Sequence, residues 1–198
     1  MDAKIGLVEL GSRYDEALLF ASRAHRGQIR KNGRVPYFSH PLRVSGLVLD
    51  YGGSEDAGIA ALLHDVVEDC GGLAALEEIR AAFGDKVASI VCETSDSFSA
   101  PGEEKAPWRE RKESFLTRLR DASDEGILVS GCDKLDNTTS LIRALVGFGD
   151  RTILSKFQVG REEEFWYWES VVSILRTRQS PVSEELARAT ALVRELWT

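Results

Sequence analysis

"ALLHDVVEDC", residues 61–70, places four polar side chains inside an otherwise apolar helical pattern. The apolar positions suit a buried helix. Spacings of three and four residues put the polar members on one helical face: His64, Asp65, Glu68 and Asp69. An uncompensated buried charge costs several kcal/mol or is neutralised. Because a metal ion satisfies most of these groups at once, the stretch indicates a metal site whose other ligands lie elsewhere in the chain.

Apolar residues recur at helical spacing through nearly all 198 residues, which predicts an all-α fold. We expect helices at about 12–26, 40–51, 55–69, 72–83, 85–95, 108–122, 127–147, 161–178 and 182–196. Serines at the start of three segments are expected to cap them: Ser12, Ser54 and Ser183. Glycines are expected to stop four segments: Gly27, Gly52, Gly84 and Gly149.

Composition excludes several classes of protein. No apolar run approaches the roughly 18 residues of a membrane span. The first thirty residues contain acids and lack the basic-then-apolar pattern of an export signal. A net charge of −7 argues against broad nucleic-acid binding, although a local basic pocket could hold a phosphorylated small molecule. Three cysteines without C-x-x-C spacing, Cys70, Cys92 and Cys132, are typical of a reducing compartment. We therefore expect a cytoplasmic protein.

Two further candidate ligands complete the metal site. His40 opens a predicted helix after a basic turn, and Asp133 follows an apolar run in a later helix. Together with His64 and Asp65 they supply two imidazoles and two carboxylates. This mixed set suits Mn²⁺, Fe²⁺, Mg²⁺ or Zn²⁺, with open positions for water and substrate. Because His25 is the only other histidine in the sequence, we expect one metal ion per chain. For His25 we expect a role in packing or in supporting the metal ligands.

Three blocks of sequence resemble the RelA/SpoT-type hydrolase domain and the small alarmone hydrolases of the HD superfamily of metal-dependent phosphohydrolases. These blocks are "AHRGQIRKNGRVPYFSHPLRV" (24–44), "ALLHDVVEDC" and "CDKLDNTTSL" (132–141). The resemblance covers roughly residues 12–175. It implies an HD-type bundle of about eight to nine helices, in a single domain over residues 1–198 that ends with the helix at 182–196.

The resemblance also implies an activity and the residues that carry it. Such enzymes remove the 3′-pyrophosphate from the guanosine alarmone (p)ppGpp, leaving GDP or GTP and pyrophosphate, and most use Mn²⁺. By position, the metal ligands are His40, His64, Asp65 and Asp133. Glu68 and Asp69 match an E-D pair that positions and activates the attacking water. The expected substrate contacts are Arg30, Lys31, Lys134 and Asn137.

Other positions carry expectations of their own. Asp136 departs from the His or Tyr usual in the family, and we expect it to repel phosphates in the cavity or to face solvent. The segment 95–107, rich in Ser, Pro and Gly, is predicted to be a surface loop, with a lid over the site as the alternative. The segment 108–114 is predicted to be a solvated helix face rather than a phosphate clamp, and residues 166–168 a core or pocket wall.

Two other functions remain open from the sequence. The same chemistry could act on NADPH or on a (deoxy)nucleoside phosphate, which would make the protein a nucleotide phosphatase. A protein of a different class, a non-catalytic HD module that only binds a nucleotide, would share the fold but not the activity. The expected partner is a phosphorylated nucleotide, with neither nucleic acid nor membrane. The oligomeric state is open, with a homodimer as one alternative.

Overall fold

Nine α-helices make up most of the described chain, residues 8–31, 35–99 and 102–198 of a computed structural model. Their bounds are α1 Ser12–Ala24, α2 Ser39–Asp50, α3 Glu55–Leu63, α4 Gly72–Phe83, α5 Asp85–Thr94, α6 Trp108–Asp121, α7 Asp124–Ile142, α8 Arg161–Thr177 and α9 Ser183–Leu196. These ranges contain no strand, only an isolated bridge between Ile29 and Pro36. The predicted all-α class is confirmed. None of the described helices has the length and apolar composition needed to span a membrane.

The continuous helix predicted at 55–69 is wrong. α3 ends before residues 64–65, and the chain then continues as the π-helical segment Val67–Gly71. A second π-helical segment, Arg143–Gly147, replaces the predicted last turn of α7. A π turn holds one residue more than an α turn, so it rotates the following side chains around the helix axis. The first of these segments carries two of the predicted site residues.

The caps follow the predictions only in part. Ser54 caps α3, because its Oγ accepts a hydrogen bond from the amide of Ala57 at 3.2 Å. Ser12 and Ser183 are instead the first helical residues, and neither helix has a side-chain cap, so these two predictions were wrong. Ser123 is a cap that the sequence reading missed, and it starts α7 three residues earlier than expected. The predicted glycine stops all have positive φ, which favours glycine: Gly27, Gly52, Gly84 and Gly149.

α3 lies at the centre of the fold and is buried on every side. Residues 57–63 are all buried, and the helix contacts α1, α2, α5 and α7. A helix that is apolar all round belongs in a core, where each fully buried Leu or Ile contributes about 1.5–3 kcal/mol. α2 also packs against α7. This packing brings together the start of α2, the end of α3 and the middle of α7.

Gly131 lies on α7 in close contact with the side chains of Leu175 and Val182, and it tests the packing. A Cβ at this position would lie 2.4 Å from Cγ1 of Val182 and 3.1 Å from Cδ1 of Leu175. We expect Gly131→Ala to lower the free energy of unfolding by about 1–3 kcal/mol, because the core must shift. Gly46 is exposed on α2, and a Cβ there would meet nothing within 4 Å.

The matched control is therefore Gly46→Ala, which should leave the free energy of unfolding unchanged or raise it by about 0.5–1 kcal/mol. Chemical denaturation of both variants measures the two effects. Equal effects would contradict the packing of α7 described here.

Candidate active site

Four side chains converge where α2, α3 and α7 meet. Nε2 of His40 lies 3.1 Å from Oδ1 of Asp133 and 3.5 Å from Oδ2 of Asp65. Nε2 of His64 lies 3.2 Å from the same Asp65 oxygen and 3.7 Å from the same Asp133 oxygen. Two imidazole nitrogens therefore face two carboxylate oxygens. The structure brings the four predicted metal ligands together from residues 40 to 133 of the chain.

The second ring nitrogen of each histidine is held by a hydrogen bond. Nδ1 of His64 donates to the carbonyl oxygen of Ala61 at 2.7 Å, and Nδ1 of His40 donates to Oδ2 of Asp136 at 2.6 Å. With Nδ1 protonated, each ring presents the Nε2 lone pair to the centre of the cluster. This is the arrangement that metal-ligating histidines adopt in proteins.

The residues present fit one divalent cation. Nε2 of His64 is buried and has no hydrogen-bond partner in the described part of the chain, although two carboxylates lie beside it. Burial lowers the pKa of His64, but Asp65 and Asp133 outweigh it and raise that pKa well above its usual value. The negative field that attracts a proton to this nitrogen also attracts a metal ion. Two nitrogen and two oxygen donors suit Mn²⁺, Fe²⁺ or Zn²⁺.

A cavity of about 450 Å³ opens onto Asp65. Its wall contains all six of the remaining predicted site residues, from three parts of the chain: Arg30, Lys31, Glu68, Asp69, Lys134 and Asn137. The predicted core or pocket wall at 166–168 is confirmed, since Tyr167 and Trp168 are buried and line the cavity. Phe157, Ile153 and Leu141 add to this apolar side.

Three of the predicted substrate contacts form a chain of hydrogen bonds that ends on Asp133, one of the predicted metal ligands. Nδ2 of Asn137 donates to Oδ1 of Asp133 at 2.6 Å, and Nη2 of Arg30 donates to Oδ1 of Asn137 at 2.8 Å. Lys134 forms an ion pair with Oδ2 of Asp133. Burial favours the neutral acid, but Lys134 and the two histidines hold the pKa of Asp133 well below its usual value. These contacts fix the orientation of the Asp133 carboxylate.

Lys31 stands apart from this chain of hydrogen bonds. Its Nζ lies 4.9 Å from the centre of the Phe157 ring, on the apolar side of the cavity. Burial lowers the pKa of Lys31, against the opposing effect of Glu164. Glu164 is a buried acid in the cavity wall that sequence reasoning missed, and burial raises its pKa. Its position in a charged helix start gave no signal of burial.

Glu68 and Asp69 lie on the π-helical segment and hold protons more readily than ordinary carboxyl groups. Burial and the neighbouring Asp96 raise the pKa of Glu68 to about 8. Burial and Asp65 raise the pKa of Asp69. Nζ of Lys105 lies 3.2 Å from Oε1 of Glu68. Both acids thus lie close to the metal ligands in a partly desolvated wall.

Lys105 belongs to the segment predicted as a surface loop at 95–107, of which residues 100–101 lie outside the described residues. The described part is not only a surface connection. Lys105 lines the cavity, and Asp96 is buried against Arg111 and Lys112. Nη1 of Arg111 lies 2.9 Å from Oδ2 of Asp96. This segment therefore supplies one wall of the site.

The solvated helix face predicted at 108–114 is wrong for the residues nearest the cavity. Trp108, Arg111 and Lys112 line the cavity. Arg111 and Lys112 both form ion pairs with buried Asp96, so this face of α6 points toward the protein interior. Asp96 lies in an irregular segment, 15 residues before Arg111 and 16 before Lys112. Helical periodicity therefore could not indicate these ion pairs.

Two further residues near the ligands differ from expectation. Asp136 neither faces the cavity nor faces solvent: it is 3% exposed and bonded to His40 and Arg43, so both predicted placements are wrong. Tyr37 was missed, and its hydroxyl donates to Oδ2 of Asp65 at 2.6 Å. His25 has the predicted packing role, because it is buried and its ring lies 4.9 Å from that of Tyr37.

Comparisons with known proteins agree with this geometry. The family model of the HD domain matches residues 17–145. Guanosine-3′,5′-bis(diphosphate) 3′-pyrophosphohydrolase MESH1 of Xenopus tropicalis is 35% identical over 151 residues, which cover 74% of this chain and 80% of that protein. MESH1 of Danio rerio is 33% identical over 175 residues, which cover 86% of this chain and 88% of that protein. The structure of a metazoan SpoT ortholog that hydrolyses ppGpp has a TM-score of 0.76 at 28% identity, covering 94% of this chain and 98% of that one.

The fold and the side-chain geometry define an all-α protein built around a histidine–aspartate cluster that fits a divalent metal ion. With these matches, the chain belongs to the HD-domain family, and within it to the MESH1 and SpoT type of guanosine-3′,5′-bis(diphosphate) 3′-pyrophosphohydrolases. The resemblance read from three sequence blocks and the HD-type bundle are confirmed. Membership of the HD-domain family implies a divalent metal ion.

The ligand geometry predicts one metal ion per chain. We expect protein loaded with a divalent metal and then desalted to retain one ion, and Asp65→Ala to retain none, because Oδ2 of Asp65 faces both imidazoles. Elemental analysis measures the content. Asp56→Ala is the control, since Asp56 pairs with Arg13 and Lys86 away from the site. A reproducible content of two ions per chain would contradict the single site.

Proposed function

We propose that this protein removes the 3′-pyrophosphate from ppGpp and pppGpp, giving GDP or GTP and pyrophosphate. The observation that carries the proposal is a cationic cavity over a buried His–Asp cluster. Although the chain has a net charge of −7, the described cavity wall has six basic residues against four acids. The basic ones are Arg30, Lys31, Lys105, Arg111, Lys112 and Lys134. The names of the MESH1 relatives support the same substrate.

We propose Mn²⁺ as the ion, with Fe²⁺, Mg²⁺ and Zn²⁺ as alternatives that the donor set also allows. The residues that would hold it are His40, His64, Asp65 and Asp133. A bound divalent ion supplies Lewis-acid activation of water and of a phosphoryl oxygen. The manganese assignment rests on the resemblance, and the single-ion assignment rests on the four converging donor atoms.

Glu68 and Asp69 are the proposed proton acceptors. Water adds to the phosphorus attached to the ribose 3′ oxygen, and the bond between that phosphorus and the 3′ oxygen breaks. The water proton moves to Glu68 or Asp69, and the leaving 3′ oxygen takes up a proton. The raised pKa of Glu68 suits this role, because a general base works best when its pKa lies near the working pH. Burial also raises the pKa of Asp69.

The cavity wall offers contacts for both parts of a nucleotide. Arg30, Lys31 and Lys134 are proposed to neutralise phosphates, and Asn137 to contact the sugar–phosphate region. The aromatic rings of Tyr167 and Trp168 offer flat surfaces on which a purine base can stack. A cavity that combines cations with aromatic rings supports a nucleotide substrate over inorganic phosphate.

Location and assembly stay predictions. We propose the cytoplasm, a compartment in which unpaired thiols persist, since all three cysteines are free: Cys70, Cys92 and Cys132. The expected absence of a nucleic-acid partner rests on the negative net charge. A homodimer remains an alternative to a monomer.

Product analysis tests the proposed reaction. Full-length protein is incubated with ppGpp, NADPH, deoxynucleoside triphosphates or cyclic dinucleotides and each of Mn²⁺, Mg²⁺, Fe²⁺ and Zn²⁺, and the products are separated by chromatography. We expect equal amounts of GDP and pyrophosphate from ppGpp, with Asp65→Ala inactive. Release of orthophosphate alone, above all from NADPH, would make the protein a phosphatase. Nucleotide binding without turnover of any substrate would make it a binding module.

Glu68→Gln tests the proposed proton acceptor. The substitution keeps the size of the side chain and removes its basicity, so the fold and the metal content should be unchanged. We expect kcat to fall by a factor of about 10²–10⁴, as is typical for loss of a positioned base. Glu78→Gln makes the same chemical change on the exposed face of α4 and should leave kcat unchanged. A near-normal kcat for Glu68→Gln would transfer the role to Asp69.

A further inference from the structure

We propose that Asp136, together with Arg43, is a positioning residue that fixes the ring of His40 for metal binding. The inference concerns the metal site and not the nucleotide, so it holds whichever substrate is cleaved. It replaces the sequence-based expectation that Asp136 acts by repelling phosphates in the cavity.

Asp136 lies behind His40, on the side of the ring away from the other metal ligands. Its Oδ2 accepts the hydrogen bond from Nδ1 of His40 at 2.6 Å, whereas Nε2 of the same ring lies 3.1 Å from Oδ1 of Asp133. Both residues are almost fully buried, at 3% and 1% exposure. The ring is therefore held at one nitrogen and presented to the ligand cluster at the other.

Arg43 satisfies the rest of the Asp136 carboxylate. Nε of Arg43 donates to Oδ1 at 2.5 Å and Nη2 donates to Oδ2 at 3.2 Å. Arg43 follows His40 by three residues on α2, so the two side chains share a helical face and both reach Asp136 on α7. A buried carboxylate without such a cation would be costly. The two hydrogen bonds from Arg43 therefore stabilise Asp136 as an anion beside Nδ1 of His40.

An anionic carboxylate only accepts hydrogen bonds, and this property sets the state of the imidazole. Nδ1 of His40 must carry the proton, which leaves the lone pair of Nε2 for a cation. A neighbour that donates a hydrogen bond to Nδ1, such as a histidine or an amide whose NH₂ group faces the ring, would allow the tautomer protonated on Nε2 and a rotated ring. Outer partners of this kind are typically worth a factor of 10–100 in metal affinity.

The first test measures Mn²⁺ affinity without any nucleotide, so its outcome is independent of the proposed reaction. Metal-free full-length protein is titrated with MnCl₂ by calorimetry. We expect Asp136→Asn to bind about 10-fold more weakly and Asp136→His up to about 100-fold more weakly. Asp136→Glu, which keeps the charge, should recover part of the loss. Asp56→Asn, the same chemical change at an arginine-paired carboxylate away from the site, should bind like the wild type.

The second test separates positioning from a merely structural role. The melting temperature is measured in chelator and again with saturating Mn²⁺, since a ligand stabilises a fold according to its affinity. We expect the metal-dependent increase to shrink in Asp136→Asn. A fall in the chelator melting temperature with an unchanged metal-dependent increase, together with wild-type affinity, would show a structural role only and overturn the proposal.

The third test reads the tautomer directly. The chain has only three histidines, so ¹⁵N-histidine labelling gives a small set of ring signals in protein loaded with diamagnetic Zn²⁺. We expect His40 to carry its proton on Nδ1 in the wild type and in Asp136→Glu, and to lose this proton signal in Asp136→His. An unchanged His40 signal in Asp136→His, or a proton on Nε2 in the wild type, would overturn the proposal.

Discussion

The structure depends on holding two carboxylates and two imidazoles against one another in a nearly dry space. Oδ1 of Asp133 and Oδ2 of Asp65 both lie within 4 Å of the same two histidine nitrogens. Two like charges so close would destabilise the fold without partners. Lys134 supports one carboxylate and Tyr37 the other. Each group that contacts the cluster from outside either neutralises a charge or fixes an orientation, and the centre is left for a cation.

The interruption after α3 is a consequence of this constraint. α3 is held in the core by apolar contacts on every side, so it delivers its last residue, Leu63, to a fixed place. Residues 64–65 form a turn in which His64 keeps helical backbone angles, and the Ala61 carbonyl accepts the hydrogen bond from the His64 ring. The wider turn that follows carries Glu68 to the same cavity. The rigid helix fixes the position of the ligands, and the irregular turn places the acids beside them.

Local patterns were enough for most of the helices and for selecting four side chains that the structure brings together, because helical periodicity and the HD pattern are carried by neighbouring residues. Local patterns were not enough where the position of a side chain depends on a partner that is distant in the sequence. Asp136 meets a ring 96 residues away, and Lys112 turns inward toward Asp96. At the start of α1, where the predicted Ser12 cap failed, the backbone amide of Gly11 donates to Glu55 on α3 instead of to a local side chain. Such pairings depend on tertiary packing, which spacing in the sequence does not encode.

Acidic and basic side chains lie side by side in the cavity wall, and this arrangement bears on the proposed chemistry. The proposed proton acceptors, Glu68 and Asp69, follow Asp65 on one stretch of chain, and Lys105 lies beside Glu68. Arg111 and Lys112 line the cavity from α6 and pair with Asp96. Because the wall is partly desolvated, charges of both signs act more strongly there than they would in water. In the proposed reaction, the cations attract the phosphates of the substrate, and the burial that raises the pKa of Glu68 favours transfer of the water proton to it.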